Sequence, residues 1–263
     1  MTTINRVIAE LESIAPLRLA AEWDAVGLLV GTRRKRVERL MTCLTLTPVV
    51  AREAVRERAD MVVTHHPLPF RPVGRITDDT STGEVLLEIV GAGIAVWSSH
   101  TAWDSAAGGI NDQLAQLLGL EHVAPIEPDE IHPLAGFGRA GSAPGGWSVQ
   151  DLARHIAGKL GSGTTQVVGD PTRPAGRVGI VCGSGGESTP AVRKAGCNTF
   201  LTGELKLHDA CDALARDLAV VAVGHHASER FSLDVLARRL AFALPGLHCW
   251  ASRDENDPFR WVG

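Results

Sequence analysis

The architecture of the chain follows from residues 47–66, TPVVAREAVRERADMVVTHH, in which a helical pattern gives way to a short apolar strand. Thr47-Pro48 combines a helix N-cap with a proline at the first helical position, so a helix is predicted to continue to about Ala59. Met61–Thr64 then has the length and the apolar composition of a buried strand. Because Leu40–Leu46 has the same strand character, the region predicts a β-α-β unit with parallel strands.

The same alternation of helical and strand patterns continues on both sides of this unit. Helices are predicted from the apolar stripe that begins at Ile4 to about Pro16, at Thr82–Val90, Gly109–Leu118, Val149–Leu160 and Ser228 to about Phe242, and beginning near Thr189 and Leu205. Strands are predicted at Ile94–Ser98, Val178–Cys182, Thr199–Thr202, Ala219–Val223 and Leu247–Ala251. The alternation predicts an α/β protein with largely parallel or mixed sheets flanked by helices.

Residues 121–136 interrupt this pattern. Pro125, Pro128 and Pro133 stand there among acidic residues, a composition that is typical of a linker. The second half of the chain then repeats the alternating architecture of the first half. We therefore place a domain boundary in this segment.

Composition and charge argue against several classes of protein. The 263 residues carry a formal net charge of -4, which disfavours a nucleic-acid binder because such a protein presents a basic face to phosphates. No run of about 18 apolar residues predicts a membrane span, and the first residues lack a signal-peptide pattern, so a cytoplasmic location is expected. The 5 cysteines include no close pair, which predicts reduced thiols, no disulfide and no cysteine metal ligand.

Histidines and carboxylates follow three of the predicted strands. Because ligands collect beyond the carboxyl ends of the strands in a parallel sheet, these side chains are expected to converge. Imidazole and carboxylate groups bind zinc, manganese, iron or nickel, so the pattern predicts a metal site. The candidates are His65 and His66 after Met61–Thr64, His100 and Asp104 after Ile94–Ser98, and His225, His226 and Glu229 after Ala219–Val223.

The spacing of the candidates indicates how they would share metal ions. His65 and His66 are chain neighbours, whose rings diverge on an extended backbone, so they suit two neighbouring ions better than one. His225 and Glu229 are four residues apart at a predicted helix start, where the Glu229 carboxylate could bridge a metal pair. The alternative is that the histidines are structural residues held by hydrogen bonds, and His226 fits that alternative best.

Short motifs occur in order from near the first residue to near the last. They are EWDAVGLLVG at Glu22–Gly31, THHPL at Thr64–Leu68, HTAWD at His100–Asp104, TGE at Thr202–Glu204 with His208-Asp209, GHHASER at Gly224–Arg230, and DPF at Asp257–Phe259. Together these motifs resemble the signature segments of the Nif-three-like family, whose members are often labelled GTP cyclohydrolase 1 type 2 homologues. The paired histidines and the His-x-x-x-Glu spacing are the most specific parts of the resemblance.

The resemblance implies a fold, an assembly and a ligand set. It implies two α/β domains, a discontinuous metal-binding domain of residues 1–124 and 225–263 and a second domain of residues 125–224. It also implies a toroidal homohexamer and two divalent metal ions per chain. The chain looks like the short form of the family, without the inserted domain of longer relatives. The implied metal ligands are His65, His66, Asp104, His225 and Glu229.

Two positions depart from the family pattern. Ala25 stands where an asparagine is usual, and Leu207 replaces the first residue of a usual histidine pair. Neither position is one of the five ligands, but Leu207 weakens a catalytic role for the segment that contains Glu204, Lys206 and His208. Within that segment His208 is a candidate proton donor or substrate contact, and ordinary surface charge on a helix is the alternative.

Further polar and aromatic residues are weaker candidates. His100 is a candidate for orienting a metal ligand through a hydrogen bond. The turn Gly183–Gly186 follows a strand and precedes a helix, so it either offers backbone amides to a phosphate or is a tight structural turn. Trp23, Trp97 and Trp103 are interpreted as core or cavity-wall residues, and Trp103 is the one placed to stack on a planar substrate.

The leading functional hypothesis is a metal-dependent hydrolase that acts on a small nucleotide or phosphoester-like substrate, because an open two-metal site activates water for such reactions. The family label suggests opening of the guanine ring of GTP. The alternative is a non-catalytic metal-binding or interaction protein. Neither a nucleic acid nor a membrane is an expected partner.

Overall fold

Strands and helices alternate along the chain, of which the computed structural model describes residues 2–163 and 165–260. The strands are β1 (Thr2–Thr3), β2 (Gly27–Val30), β3 (Arg36–Val37), β4 (Arg39–Cys43), β5 (Met61–Thr64), β6 (Ala95–Ser98), β7 (Glu121–Ala124), β8 (Glu127–Pro128), β9 (Gly136–Phe137), β10 (Arg139–Ser142), β11 (Gln166–Val168), β12 (Arg177–Val181), β13 (Thr199–Thr202), β14 (Ala219–Ala222) and β15 (His248–Ala251). The helices are α1 (Ile4–Ile14), α2 (Pro48–Arg56), α3 (Ser81–Ala92), α4 (His100–Ser105), α5 (Ile110–Leu118), α6 (Val149–Leu160), α7 (Thr189–Lys194), α8 (Leu207–Ala215) and α9 (His225–Ala243). None of these helices, within the residues described, is both long and apolar enough to cross a membrane.

The chain divides into two compact units, each with its own main sheet. Unit 1 comprises Met1–Trp103 and Ser232–Asn256, and unit 2 comprises Asp104–Phe231 and Asp257–Gly263. Both units combine strands with helices, which confirms the predicted α/β class. The predicted domain bounds, residues 1–124 with 225–263 and residues 125–224, stay a prediction.

The main sheet of unit 1 has the strand order β15-β4-β5-β6-β2. The strands β15, β4, β5 and β6 are parallel, as predicted, and β2 lies antiparallel beside β6. Side chains from β4, β5 and β6 share one buried core with those of α2 and α3. The hydroxyl of Thr47 accepts a hydrogen bond from the Val50 backbone N–H at the start of α2, which confirms the predicted N-cap.

The main sheet of unit 2 has the order β11-β14-β13-β12-β10-β7. Only its middle is parallel in the described residues, at β12, β13 and β14, and the flanking strands pair antiparallel, so this sheet is mixed. Val192, Phe200 and Val220 lie in its core. Arg139 is buried in β10, and its guanidinium forms an ion pair with Asp112 and donates to backbone carbonyls, which offsets the cost of burying its charge.

The segment 121–136, predicted to be a linker, contains strands instead. β7 pairs with β10 in the main sheet of unit 2, and β8 pairs with β9. The residues of β7 are all exposed, and β10 begins with a buried arginine, so neither strand has the apolar alternation from which strands are predicted. The helix α4 was also missing from the sequence prediction, because six residues are too few to show a helical period.

Candidate metal centre

His65 and His66 lie in a bend directly after β5, where backbone hydrogen bonds fix both residues. The His65 and His66 N–H groups donate to the carbonyls of Cys43 and Leu44, each at 2.9 Å. The Ser98 hydroxyl donates to the His65 carbonyl at 2.6 Å. The main chain of the two histidines is therefore held by both strands that neighbour β5.

His100 begins α4 with a φ of 29°, in the left-handed region that favours glycine. Its Nδ1 forms a 2.8 Å hydrogen bond with Asp24 Oδ1, and the Thr101 N–H and hydroxyl donate to Asp24 Oδ2. Burial raises the pKa of Asp24, but the hydrogen bonds from His100 and Thr101 outweigh it and hold that pKa below its usual value. A buried carboxylate thus orients His100, and this contact stabilises an otherwise unfavourable backbone conformation.

The rings of His65, His66 and His100 lie close together, and we call these three residues the histidine cluster. The ring centroids of His65 and His66 are 5.2 Å apart, and that of His100 lies 5.1 Å from His65 and 5.7 Å from His66. Each residue offers one ring nitrogen, and these nitrogens all lie within 4.8 Å of one another. His65 and His66 follow the strand in a bend rather than on a fully extended backbone, and whether they hold one ion or two stays a prediction.

Unit 2 positions a second set of candidate ligands, which we call the acidic cluster: Asp104, His225 and Glu229. His225 is the first residue of α9, and its Nε2 lies 3.1 Å from Glu229 Oε2 one turn later, as the four-residue spacing predicts. Its Nδ1 lies 3.1 Å from Glu204 Oε1. The hydrogen bond with Glu229, reinforced by the charges of both carboxylates, raises the pKa of His225 to about 9 although burial opposes this.

The thiol of Cys182 is part of the surroundings of the acidic cluster. Cys182 Sγ donates a 3.2 Å hydrogen bond to Asp104 Oδ1. Burial, together with the negative charges of Asp104 and Glu229, raises the pKa of this thiol well above its usual value. Cys182 is therefore a neutral hydrogen-bond donor in this setting, and its distance from Asp104 in the sequence explains why the pattern did not reveal it.

Two glycines allow the backbone to approach α9 closely. A Cβ on Gly183, whose φ is +61°, would lie 2.2 Å from Glu229 Oε1, and a Cβ on Gly203 would lie 2.7 Å from Ser228 Oγ. The Gly183 N–H donates to Ser228 Oγ and the Gly185 N–H donates to Thr202 Oγ1. Because these amides already have partners within unit 2, the geometry supports the structural interpretation of the turn Gly183–Gly186.

The remaining candidates lie in different surroundings. His208 and Lys206 are exposed at the start of α8, where Lys206 pairs with Glu187 at 3.1 Å, and the role of His208 stays a prediction. The stacking role suggested for Trp103 is wrong, because the residue is only 1% exposed and the Arg239 guanidinium lies over its ring. Trp97 is buried, as expected, whereas Trp23 is 68% exposed.

Comparison with known proteins adds a family assignment to this geometry. The family model described as Duf34/NIF3 (NGG1p interacting factor 3) matches residues 2–258. A GTP cyclohydrolase 1 type 2 homolog of Clostridium perfringens is 30% identical over 260 residues, which cover 98% of this chain and 99% of that protein. One of Streptomyces coelicolor is 34% identical over 235 residues, covering 87% of this chain and 82% of that protein.

Solved structures agree with this match at the level of the fold. A Bacillus cereus protein related to NIF3 superposes with a TM-score of 0.91 at 21% identity, over 99% of both chains. Reduced HcgD from Methanocaldococcus jannaschii superposes with a TM-score of 0.83 at 26% identity, over 95% of this chain and 97% of that one.

Proposed function

The chain belongs to the Duf34/NIF3 family, and from that premise we propose that it is a metal-dependent hydrolase of a nucleotide or phosphoester-like substrate that binds two divalent metal ions per chain. The observation that carries the proposal is the histidine cluster, in which three imidazoles offer nitrogens within 4.8 Å of one another. Three imidazoles gathered beyond the ends of β5 and β6 are donors that suit a transition metal ion.

The donor set fits divalent ions of the first transition row. We propose His65, His66, Asp104, His225 and Glu229 as the ligands, and imidazole and carboxylate donors accept zinc, manganese, iron or nickel, according to availability. Unit 1 offers His100 as an additional imidazole.

The second ring nitrogens support this assignment. The Nδ1 atoms of His66 and His100 lie 2.7 Å from the Thr45 hydroxyl and 2.8 Å from Asp24 Oδ1, respectively. In metal sites the second nitrogen of a histidine ligand usually has such a partner, which fixes the tautomer and the direction of the ring.

Divalent ions supply Lewis acidity, which polarises a phosphoryl oxygen and lowers the pKa of water. The residues of the chain contribute orientation: Asp24 holds the His100 ring, and Glu204 holds the His225 ring. The helical spacing places the Glu229 carboxylate beside His225, where it would help to hold both ions.

His208 is our candidate for donating a proton to the leaving group or contacting the substrate, because it is exposed and carries a titratable ring at the start of α8. Replacing His208 with alanine is expected to lower turnover at least about 100-fold, the lower end of the range for a lost acid-base group, while metal content stays that of wild type. Steady-state kinetics and elemental analysis measure the two quantities. Unchanged turnover would remove His208 from the mechanism.

The names of the relatives make guanine nucleotides the first substrates to test. Metal-loaded protein, metal-stripped protein and the Glu229→Ala variant would be compared on GTP, other nucleotides, simple phosphoesters and cyclic amides, with the exposed Glu130→Ala as the matched control. We expect turnover that requires the metal. It should be lost in Glu229→Ala and kept in Glu130→Ala. Metal-loaded protein that is inert on the whole panel would instead favour the alternative, a non-catalytic metal-binding or interaction protein.

We also propose self-association as a homohexamer and a cytoplasmic location, both on the family resemblance and the sequence pattern. Light scattering after size-exclusion chromatography measures the mass of the assembly, and a mass of about six chains is expected.

A further inference from the structure

Two large aromatic side chains of unit 1 are exposed beside the histidine cluster. Trp23 is 68% exposed and Phe70 is 54% exposed. Their ring centroids are 6.4 Å apart with an angle of 55° between the ring planes, and we call these two residues the aromatic pair. Large aromatic side chains are usually buried, and exposed groups of them commonly mark binding sites.

The aromatic pair is joined to the cluster through His100. The His100 ring centroid lies 6.0 Å from that of Trp23 and 6.2 Å from that of Phe70, in edge-to-face arrangements. A ligand on the side of either aromatic ring that faces His100 would therefore also reach His100.

The backbone that carries Trp23 is held on both sides. Asp24, the next residue, accepts hydrogen bonds from Thr101 and pairs with His100, and the Ala21 N–H donates to the Thr101 hydroxyl at 2.9 Å. The Trp23 ring is therefore exposed on a segment whose backbone is held in place. An anchored aromatic ring loses little conformational freedom when a ligand binds.

We propose that the aromatic pair binds a planar heteroaromatic ring, the nucleobase of a mononucleotide whose phosphate is bound by the metal ions; this inference rests on the proposed function. Every nucleobase has a π-face that stacks on an aromatic side chain without base-specific hydrogen bonds. A base recognised by Trp23 and Phe70 beside the histidine cluster would orient the phosphate end towards the imidazole ligands. The substrate class is therefore a nucleotide, and a phosphoester without a base would bind more weakly.

Binding of two probes that differ only in the base tests this inference. Affinities of GMP and ribose 5-phosphate would be measured by isothermal titration calorimetry on metal-loaded full-length protein. Wild type is expected to bind GMP at least about tenfold more tightly, the lower part of the range for one stacked base. Trp23→Leu is expected to remove most of this preference and Trp23→Phe to retain it, with affinity for ribose 5-phosphate and metal content unchanged in both variants.

Phe242→Leu is the matched control, since Phe242 is 89% exposed and lies on α9. It should keep the full preference for GMP. The inference is overturned if wild-type protein shows no preference for GMP, or if Trp23→Leu keeps that preference. It is also overturned if Trp23→Leu changes only the number of chains in the assembly. Protein that holds no metal and binds neither probe refutes the proposed function as well, whereas metal-loaded protein that binds both probes equally refutes the aromatic subsite alone.

Discussion

The histidine cluster of unit 1 and the acidic cluster of unit 2 both form where a strand end and a helix start supply side chains, but their donors differ in charge. The histidine cluster gathers three imidazoles, and its carboxylate, Asp24, lies behind His100. In the acidic cluster Glu229, together with the neighbouring Glu204, raises the pKa of His225 to about 9. Opposite charge therefore stabilises the acidic cluster, whereas hydrogen bonds and backbone contacts hold the histidine cluster.

Each cluster also has one histidine that a carboxylate holds through its Nδ1. The Asp24 side chain is fully buried and holds His100 at 2.8 Å, whereas the Glu204 side chain is 52% exposed and holds His225 at 3.1 Å. Solvent competes for the exposed carboxylate but not for the buried one. The comparison therefore predicts a strict orientation in unit 1 and a weaker one in unit 2.

The largest effect, on the free energy of unfolding, is expected at Gly183, where the acidic cluster leaves no room for a side chain. Gly183→Ala would introduce a Cβ 2.2 Å from Glu229 Oε1 at a backbone φ of +61°, so both strain and displacement of Glu229 follow. We expect the free energy of unfolding to fall by about 2–4 kcal/mol, as measured by urea denaturation.

Gly145→Ala is the matched control, because a Cβ there meets nothing within 4 Å and the residue is exposed. Its effect should stay within about 0.5 kcal/mol. Equal stability of the two variants would mean that Glu229 is not packed against this turn.

A smaller effect is expected when the buried orienting carboxylate of unit 1 is neutralised. Asp24→Asn keeps the size of the side chain but weakens the hydrogen bond to His100, and loss of such a partner typically lowers metal affinity about 10- to 100-fold. Competition with a zinc-binding dye measures the affinity. The exposed Asp78→Asn is the control and should match wild type; an Asp24→Asn variant that also matches wild type would separate His100 from metal binding.

The smallest effect is expected for the corresponding change in unit 2. Glu204→Gln neutralises a half-exposed carboxylate, so its loss of metal affinity should be less than about tenfold and smaller than that of Asp24→Asn in the same dye competition. The reverse order of the two variants would contradict the comparison between the buried and the exposed orienting residue.

The sequence predicted the parts of the fold and the site that depend on local pattern. The strands β5 and β13 and the helix α6 were predicted with the bounds that the structure has, because the two strands are short apolar segments and α6 has a clear helical period. The four-residue spacing correctly indicated the His225–Glu229 contact, because both residues lie on one helix.

Contacts between distant segments were not predictable in this way. Asp24 and His100 are separated by 76 residues and Cys182 and Asp104 by 78, and neither pair follows any periodic pattern. The only sequence signal for Asp24 was its place in the EWD motif of the family resemblance. Edge strands such as β7 were missed for a related reason, because exposed strands carry no apolar alternation.

Elemental analysis of protein purified without chelator or affinity-tag metal tests the central claim most directly. Wild type and the control Glu130→Ala, an exposed site, are expected to hold about two divalent ions per chain. His66→Ala and Glu229→Ala, which change one residue of each cluster, should each hold about one ion or fewer. Wild-type protein that holds no metal even after reconstitution, or a full metal complement in both ligand variants, would contradict the account.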